Sequence, residues 1–112
     1  MKVLLTHSLT AALASMAAFP AGAETGMASY YGGGRTSSGE ISGPKGLTAA
    51  HRTLPFGTYV LVTNVGNGKT VIVRITDRGP YGRGRIIDVS RAAAIELDII
   101  EIGTTMVSVV RQ

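Results

Sequence analysis

Few side chains in this 112-residue sequence can move a proton, and most of those are carboxylates. Glu40 lies in a polar, glycine-rich stretch. Asp77 follows the β-branched run Thr70-Val71-Ile72-Val73-Arg74-Ile75-Thr76 and opens the turn Asp77-Arg78-Gly79-Pro80, while Asp88 stands near the end of Arg85-Ile86-Ile87-Asp88-Val89. A carboxyl group held at such a place can act as general acid or base on a bond that needs a proton to break. Each also has a plainer reading. A turn aspartate commonly bonds the backbone two residues on, and Asp88, just before Ser90, suits the start of a following helix. Glu96, Asp98 and Glu101 fall on or after that helix, where water solvates them.

Other chemistries lack their residues. The histidines are His7 and His51, and there is no cysteine, so no metal-ligating set can be assembled. A serine triad would have to use His51, yet no Gly-x-Ser-x-Gly elbow occurs. Gly32-Gly33-Gly34 lacks the Gly-Lys-Ser/Thr that a phosphate loop needs. No cofactor is expected. His51 reads equally well as a buried imidazole with its hydrogen bonds satisfied.

The elements that must hold these groups are mostly strands. Glu24 to Gly26 reads as a leader and Met27 to Tyr31 as the first strand, ending at Gly32. Leu47 to His51 is a short apolar segment. Thr58 to Thr63 and Thr70 to Ile75 flank Gly66-Asn67-Gly68, whose residues tolerate positive φ, so the pair predicts a hairpin. The incomplete alternation in Thr70 to Ile75 predicts burial on much of both faces. Arg85 to Val89 is another strand, and the Ser90 hydroxyl can cap a helix from Arg91 to about Leu97. Gly103 opens the last strand. Phe56-Gly57-Thr58 is echoed by Ile102-Gly103-Thr104, which suggests two similar halves contributing to one closed sheet.

Residues 1–23 read as a cleaved secretory signal: Lys2, a short apolar run, Pro20, then Ala21-Gly22-Ala23 in the small-x-small pattern. The run is too short and too polar to remain as a membrane span, which takes ~20 apolar residues. Residues 24–112 are enough for one domain, expected in the periplasm or secreted. An exported chain without cysteine must rely on backbone pairing and aliphatic packing. Arginine supplies most of the positive charge, but export argues against a nucleic-acid partner; an anionic envelope polymer explains the same balance. A monomer is the expected state.

Three stretches in order carry a family resemblance. Gly26-Met27-Ala28-Ser29-Tyr30-Tyr31-Gly32 and Arg35-Thr36-Ser37-Ser38-Gly39-Glu40 introduce it. Leu47-Thr48-Ala49-Ala50-His51-Arg52-Thr53-Leu54-Pro55-Phe56-Gly57-Thr58, then Val71 to Pro80 with Asp77-Arg78-Gly79-Pro80, then Gly84-Arg85-Ile86-Ile87-Asp88-Val89-Ser90-Arg91-Ala92-Ala93-Ala94, make it specific. The sequence resembles the rare lipoprotein A (RlpA) family almost throughout residues 24–112. That resemblance implies a mainly β fold, a six-stranded double-psi β-barrel with one short helix, and a lytic transglycosylase acting on peptidoglycan glycan strands stripped of peptides. It implies Asp77 as the acid/base, Glu40 and His51 as groove residues associated with it, and Tyr31, Arg52 and Arg78 as substrate contacts. The sequence departs from the family pattern in a short loop before Arg35 and in Ile41-Ser42-Gly43-Pro44 after Glu40, where an aromatic residue is usual.

A lytic transglycosylase uses no water: one carboxyl protonates the leaving oxygen, then helps the sugar's own hydroxyl close a 1,6-anhydro ring. A hydrolase normally needs two carboxyls. At pH 7 only about one free aspartate in a thousand is protonated, so the site must raise that pKa by burial or a neighbouring carboxylate. Two other readings remain: an expansin-like wall-binding module without turnover, and a hydrolase using Asp77 with Asp88, which requires Asp88 to be free of a capping role.

Overall fold

The computed structural model describes residues 22–32, 34–35, 41–42 and 46–112. Most of the expected signal segment, and Glu40, lie outside the described residues. In chain order the elements are β1 (Glu24–Tyr31), β2 (Gly34–Arg35), β3 (Ile41–Ser42), β4 (Thr48–His51), β5 (Tyr59–Asn64), β6 (Thr70–Asp77), β7 (Arg85–Ser90), α1 (Arg91–Leu97) and β8 (Thr105–Arg111). Six strands close into a barrel in the order β1-β7-β4-β6-β5-β8, and β2 and β3 form a separate two-stranded ribbon. Closure leaves the six barrel strands with no unpaired edge.

The pairing has an internal two-fold logic. β1 runs parallel to β7 and β6 runs parallel to β4, while the four remaining contacts are antiparallel. Exchanging β1 with β6, β4 with β7 and β5 with β8 reproduces the same list of neighbours. The two halves are therefore β1-β4-β5 and β6-β7-β8. Gly57 and Gly103 lead into the equivalent strands β5 and β8, and both have left-handed φ, 89° and 79°. This is the physical content of the Gly-Thr echo: each half needs a turn that only glycine enters without strain.

The core is aliphatic. Val60, Val62, Val73, Ile75, Ile87, Val89 and Val107 are fully buried, and Ala93, Ala94 and Leu97 of α1 pack into the same cluster. Burying each of the larger side chains contributes roughly 1.5–3 kcal/mol. Ser90 caps α1, its hydroxyl accepting the Ala93 amide, and Asp98 closes the helix in the left-handed region at φ 59°.

Two expectations are corrected. Glu24 to Gly26 is not a leader: these residues are the start of β1, held by antiparallel pairing of Glu24 to Ala28 with Val109 to Thr105. Nor is β6 buried on both faces. Val71, Val73 and Ile75 point to the core, whereas Ile72 on the opposite face is 49% exposed.

Candidate active site on the outer face of the barrel

The registers draw one line of side chains across four strands. Ser29 on β1 is opposite Asp88 on β7, Asp88 is opposite Ala50 on β4, and Ala50 is opposite Asp77 on β6. The adjacent residues Ala28, Val89 and Ala49 belong to the core, so by strand alternation Ser29, Asp88 and Ala50 point away from it, with Ser29 and Ala50 themselves covered, 3% and 5% exposed. The two carboxylates flank Ala50, which contributes only a methyl group between them.

Asp77 reaches this face through a local irregularity. Val71, Val73 and Ile75 point inward at every second residue, and simple alternation would send Asp77 after them. The register instead jumps, with Ala49 opposite Ile75 and Ala50 opposite Asp77, so Thr76 is an extra residue. Such a bulge reverses the parity of everything that follows. Thr76 is buried in compensation, with its hydroxyl unpartnered. The Asp77 Oδ1 accepts the backbone amide of Arg78 at 2.8 Å, one residue on.

Asp88 is not a helix-capping residue; that expectation fails because Ser90 does the capping and the first turn of α1 contains no acidic residue. The Asp88 carboxylate instead accepts the Ser29 hydroxyl at 2.8 Å, and Ser29 in turn accepts a bond from Arg85 Nη2. Burial pushes the Asp88 carboxyl above its ordinary value, further than the Ser29 hydrogen bond and the Arg85 charge pull it back, and the charge of Asp77 adds to the rise. Ser29, Arg85 and Thr48 carried no sequence signal of their own: they become visible only once β1, β4 and β7 are laid side by side.

Two residues along, the same face carries Tyr31, Thr48 and Arg74. Thr48 is opposite Arg74, and the Tyr31 and Thr48 hydroxyls are 2.8 Å apart. Tyr31 therefore lies on the face that also holds the acids.

The other named residues serve the loops that frame this face. His51 is 6% exposed. Its Nδ1 accepts the amides of Thr53 and Leu54, both at 3.2 Å, so the ring proton sits on Nε2 and is donated to Glu24 at 2.8 Å. Both nitrogens are thus engaged, one on the β4–β5 loop and one on the start of β1. Glu24, His51, Thr53, Leu54, Val109 and Arg111 line a cleft of about 310 Å³ that does not include Asp77 or Asp88. Arg52 and Arg78 clasp each other's loops. Arg52 donates to the carbonyls of Pro80, Gly82 and Arg85 at 2.6, 2.9 and 2.7 Å. Arg78 donates to Leu54 O at 2.8 Å and His51 O at 3.3 Å, with its guanidinium 4.1 Å from the centre of the Phe56 ring. Among the described residues no cluster of histidine and acidic side chains could hold a metal ion.

Comparison with known proteins bears on the same region. Residues 23–109 match the family model described as lytic transglycolase. A Yersinia pestis protein named endolytic peptidoglycan transglycosylase RlpA is 56% identical over 80 residues, which is 68% of this chain and 22% of that protein. The chain spans between about a fifth and a third of the length of that relative and others of the same name. Among solved structures, a Streptomyces papain inhibitor superposes with a TM-score of 0.66 at 24% identity, covering 81% of this chain and 94% of the inhibitor. An expansin of Clavibacter michiganensis does so with a TM-score of 0.62 at 22% identity, covering 80% of this chain and 50% of the expansin. These two likenesses establish the barrel fold alone.

Proposed function

This chain belongs to the lytic transglycolase family of double-psi barrels, and on that premise we propose that its outer face cleaves the β-1,4 bonds of peptidoglycan glycan strands, preferably free of peptides, to 1,6-anhydro products. The observation that carries this reading is the placement of Asp77 and Asp88 on either side of Ala50, facing away from the core. The name of the Yersinia relative, endolytic peptidoglycan transglycosylase, specifies the same polymer.

The chemistry needs one proton delivered and one removed. When the pair carries one proton, burial favours it on Asp88, and this proton goes to the leaving glycosidic oxygen as the bond to the anomeric carbon breaks. The hydroxyl on the sugar's C6 then attacks that carbon. Its proton passes to a carboxylate of the pair, Asp77 in the first instance, so the pair ends with the proton count it began with. No water is consumed. Asp77 thus keeps the acid/base role, shared with Asp88, and the proton belongs to the pair rather than to either residue. His51, with both ring nitrogens engaged, shapes the β4–β5 loop beside them.

Asp88's freedom from the helix cap also favours a second reading, hydrolysis by the two acids. Mass spectrometry of peptide-free glycan after incubation with the protein separates the outcomes. Anhydro ends support the proposal, new reducing ends support hydrolysis, and binding without either leaves a wall-binding module. The small-x-small pattern ending at Ala23 supports cleavage there and work in the cell envelope.

A further inference from the structure

Tyr81 is 76% exposed, the largest exposure among the big apolar side chains of the described residues. It stands in the loop that joins Asp77 to β7, four residues beyond the acid. An aromatic ring left in water on a slack loop can gain by folding down onto apolar surface. This loop is not slack. Two of the three carbonyls that Arg52 holds, Pro80 and Gly82, belong to the residues on either side of Tyr81. The third, Arg85, fixes the point where the loop enters β7.

The space under the ring is left open by a glycine. Gly79 is buried with φ 112°, and a Cβ built there would meet the Tyr81 ring at 3.6 and 3.7 Å. The ring edge therefore lies over the side of Gly79 that carries no side chain, two residues from Asp77, while most of the ring stays in solvent. A rigid, amphipathic ring presented at the end of a polar face is what a saccharide needs: its axial C–H groups stack on the π surface while its hydroxyls remain hydrated. Because the loop is already ordered, stacking costs little further entropy.

We infer that Tyr81 is a stacking platform for one pyranose ring of the glycan strand, beside the Asp77–Asp88 pair, and that Arg52 is the positioning residue that holds the platform in place. The inference rests on the glycan-cleaving reading of this face. It also gives Arg52 an indirect part in substrate binding: its donors go to the loop, and the loop presents the ring.

The test is equilibrium binding of peptide-free glycan oligosaccharides to the Asp77→Asn protein, which holds the strand without consuming it. Adding Tyr81→Ala should weaken binding by about tenfold, and adding Tyr81→Trp should preserve it. Arg52→Ala should weaken binding to a similar degree. The double variant Arg52→Ala, Tyr81→Ala should be no weaker than Tyr81→Ala alone, because both changes remove one platform. Equal affinity of the Asp77→Asn protein with and without Tyr81→Ala overturns the platform. Additive losses from Arg52 and Tyr81 overturn the positioning role. If the Asp77→Asn protein binds no glycan at all, the glycan-cleaving reading itself falls.

Discussion

Ser29 and Asp77 occupy equivalent positions in the two halves of the barrel. Each is the residue that pairs, across a parallel contact, with the outward position of the central β4–β7 ladder: Ser29 with Asp88, Asp77 with Ala50. Asp88 and Ala50 are equivalents by the same exchange. Both acids of the site therefore come from the second half, and the first half answers with a hydroxyl and a methyl. The symmetric scaffold holds an asymmetric site. Ser29 is nonetheless part of it, because its hydroxyl is donated to Asp88.

That bond gives a first expectation. The Ser29 hydrogen bond lowers the Asp88 pKa against the larger effect of burial. Ser29→Ala removes it, so the Asp88 pKa should rise further. A group acting as acid loses activity as pH climbs through its pKa, so the falling alkaline limb of the pH–rate profile should move to higher pH. A limb that stays in place or moves down would separate Asp88 from the acid step.

Asp88→Asn should reveal the same raised pKa as a stability effect. The folded protein holds the Asp88 proton more tightly than the unfolded chain does. The resulting stabilisation is fully present below the unfolded pKa of about 4 and is lost as pH rises through the higher folded value. Above that folded value the wild-type protein carries a buried charge that asparagine removes, while the carbonyl of the new amide can still accept from Ser29. The variant should gain melting temperature over wild type as the pH rises from about 4 through the folded value. A lower melting temperature at pH 7 would return Asp88 to a structural role.

His51→Ala is expected to act on the fold. It removes the acceptor of the Thr53 and Leu54 amides and the donor to Glu24, hydrogen bonds worth roughly 0.5–1.5 kcal/mol each, and it empties the space of a buried ring. Thermal melting should show the loss, with the β4–β5 loop amides exchanging faster. An unchanged melting temperature with activity lost would instead put the imidazole in the chemistry.

Much of this was legible in the sequence where the signal is local. The Gly66-Asn67-Gly68 hairpin and the Ser90 cap each depend on residues within a few positions of one another, and both stand as expected. Asp77 was legible as a motif residue, but its direction was not, because the extra residue Thr76 is defined only against β4. The family resemblance implies Arg52 and Arg78 as substrate contacts. The structure gives them backbone carbonyls 24 to 33 positions away, which no local pattern reveals. Glu24 was missed altogether: its partner lies 27 residues on, and a short polar start carries no periodicity.

The sharpest test falls on Asp77. Asparagine in its place keeps the shape and can still accept the Arg78 amide through its side-chain oxygen, but it cannot give or take a proton. General acid–base catalysis contributes ~10²–10⁴-fold. Asp77→Asn should therefore lower release of anhydro products by at least about a hundredfold, with melting temperature and glycan binding close to wild type. The substitution also removes the charge that helps to raise the Asp88 pKa, so whatever activity remains should have its alkaline limb shifted down. Ser29→Ala moves the same limb up, and the opposite signs make the two variants a joint test of one shared proton. Near-normal turnover in Asp77→Asn, or loss of activity only through unfolding, would make Asp77 a turn residue and leave the cleavage chemistry without its centre.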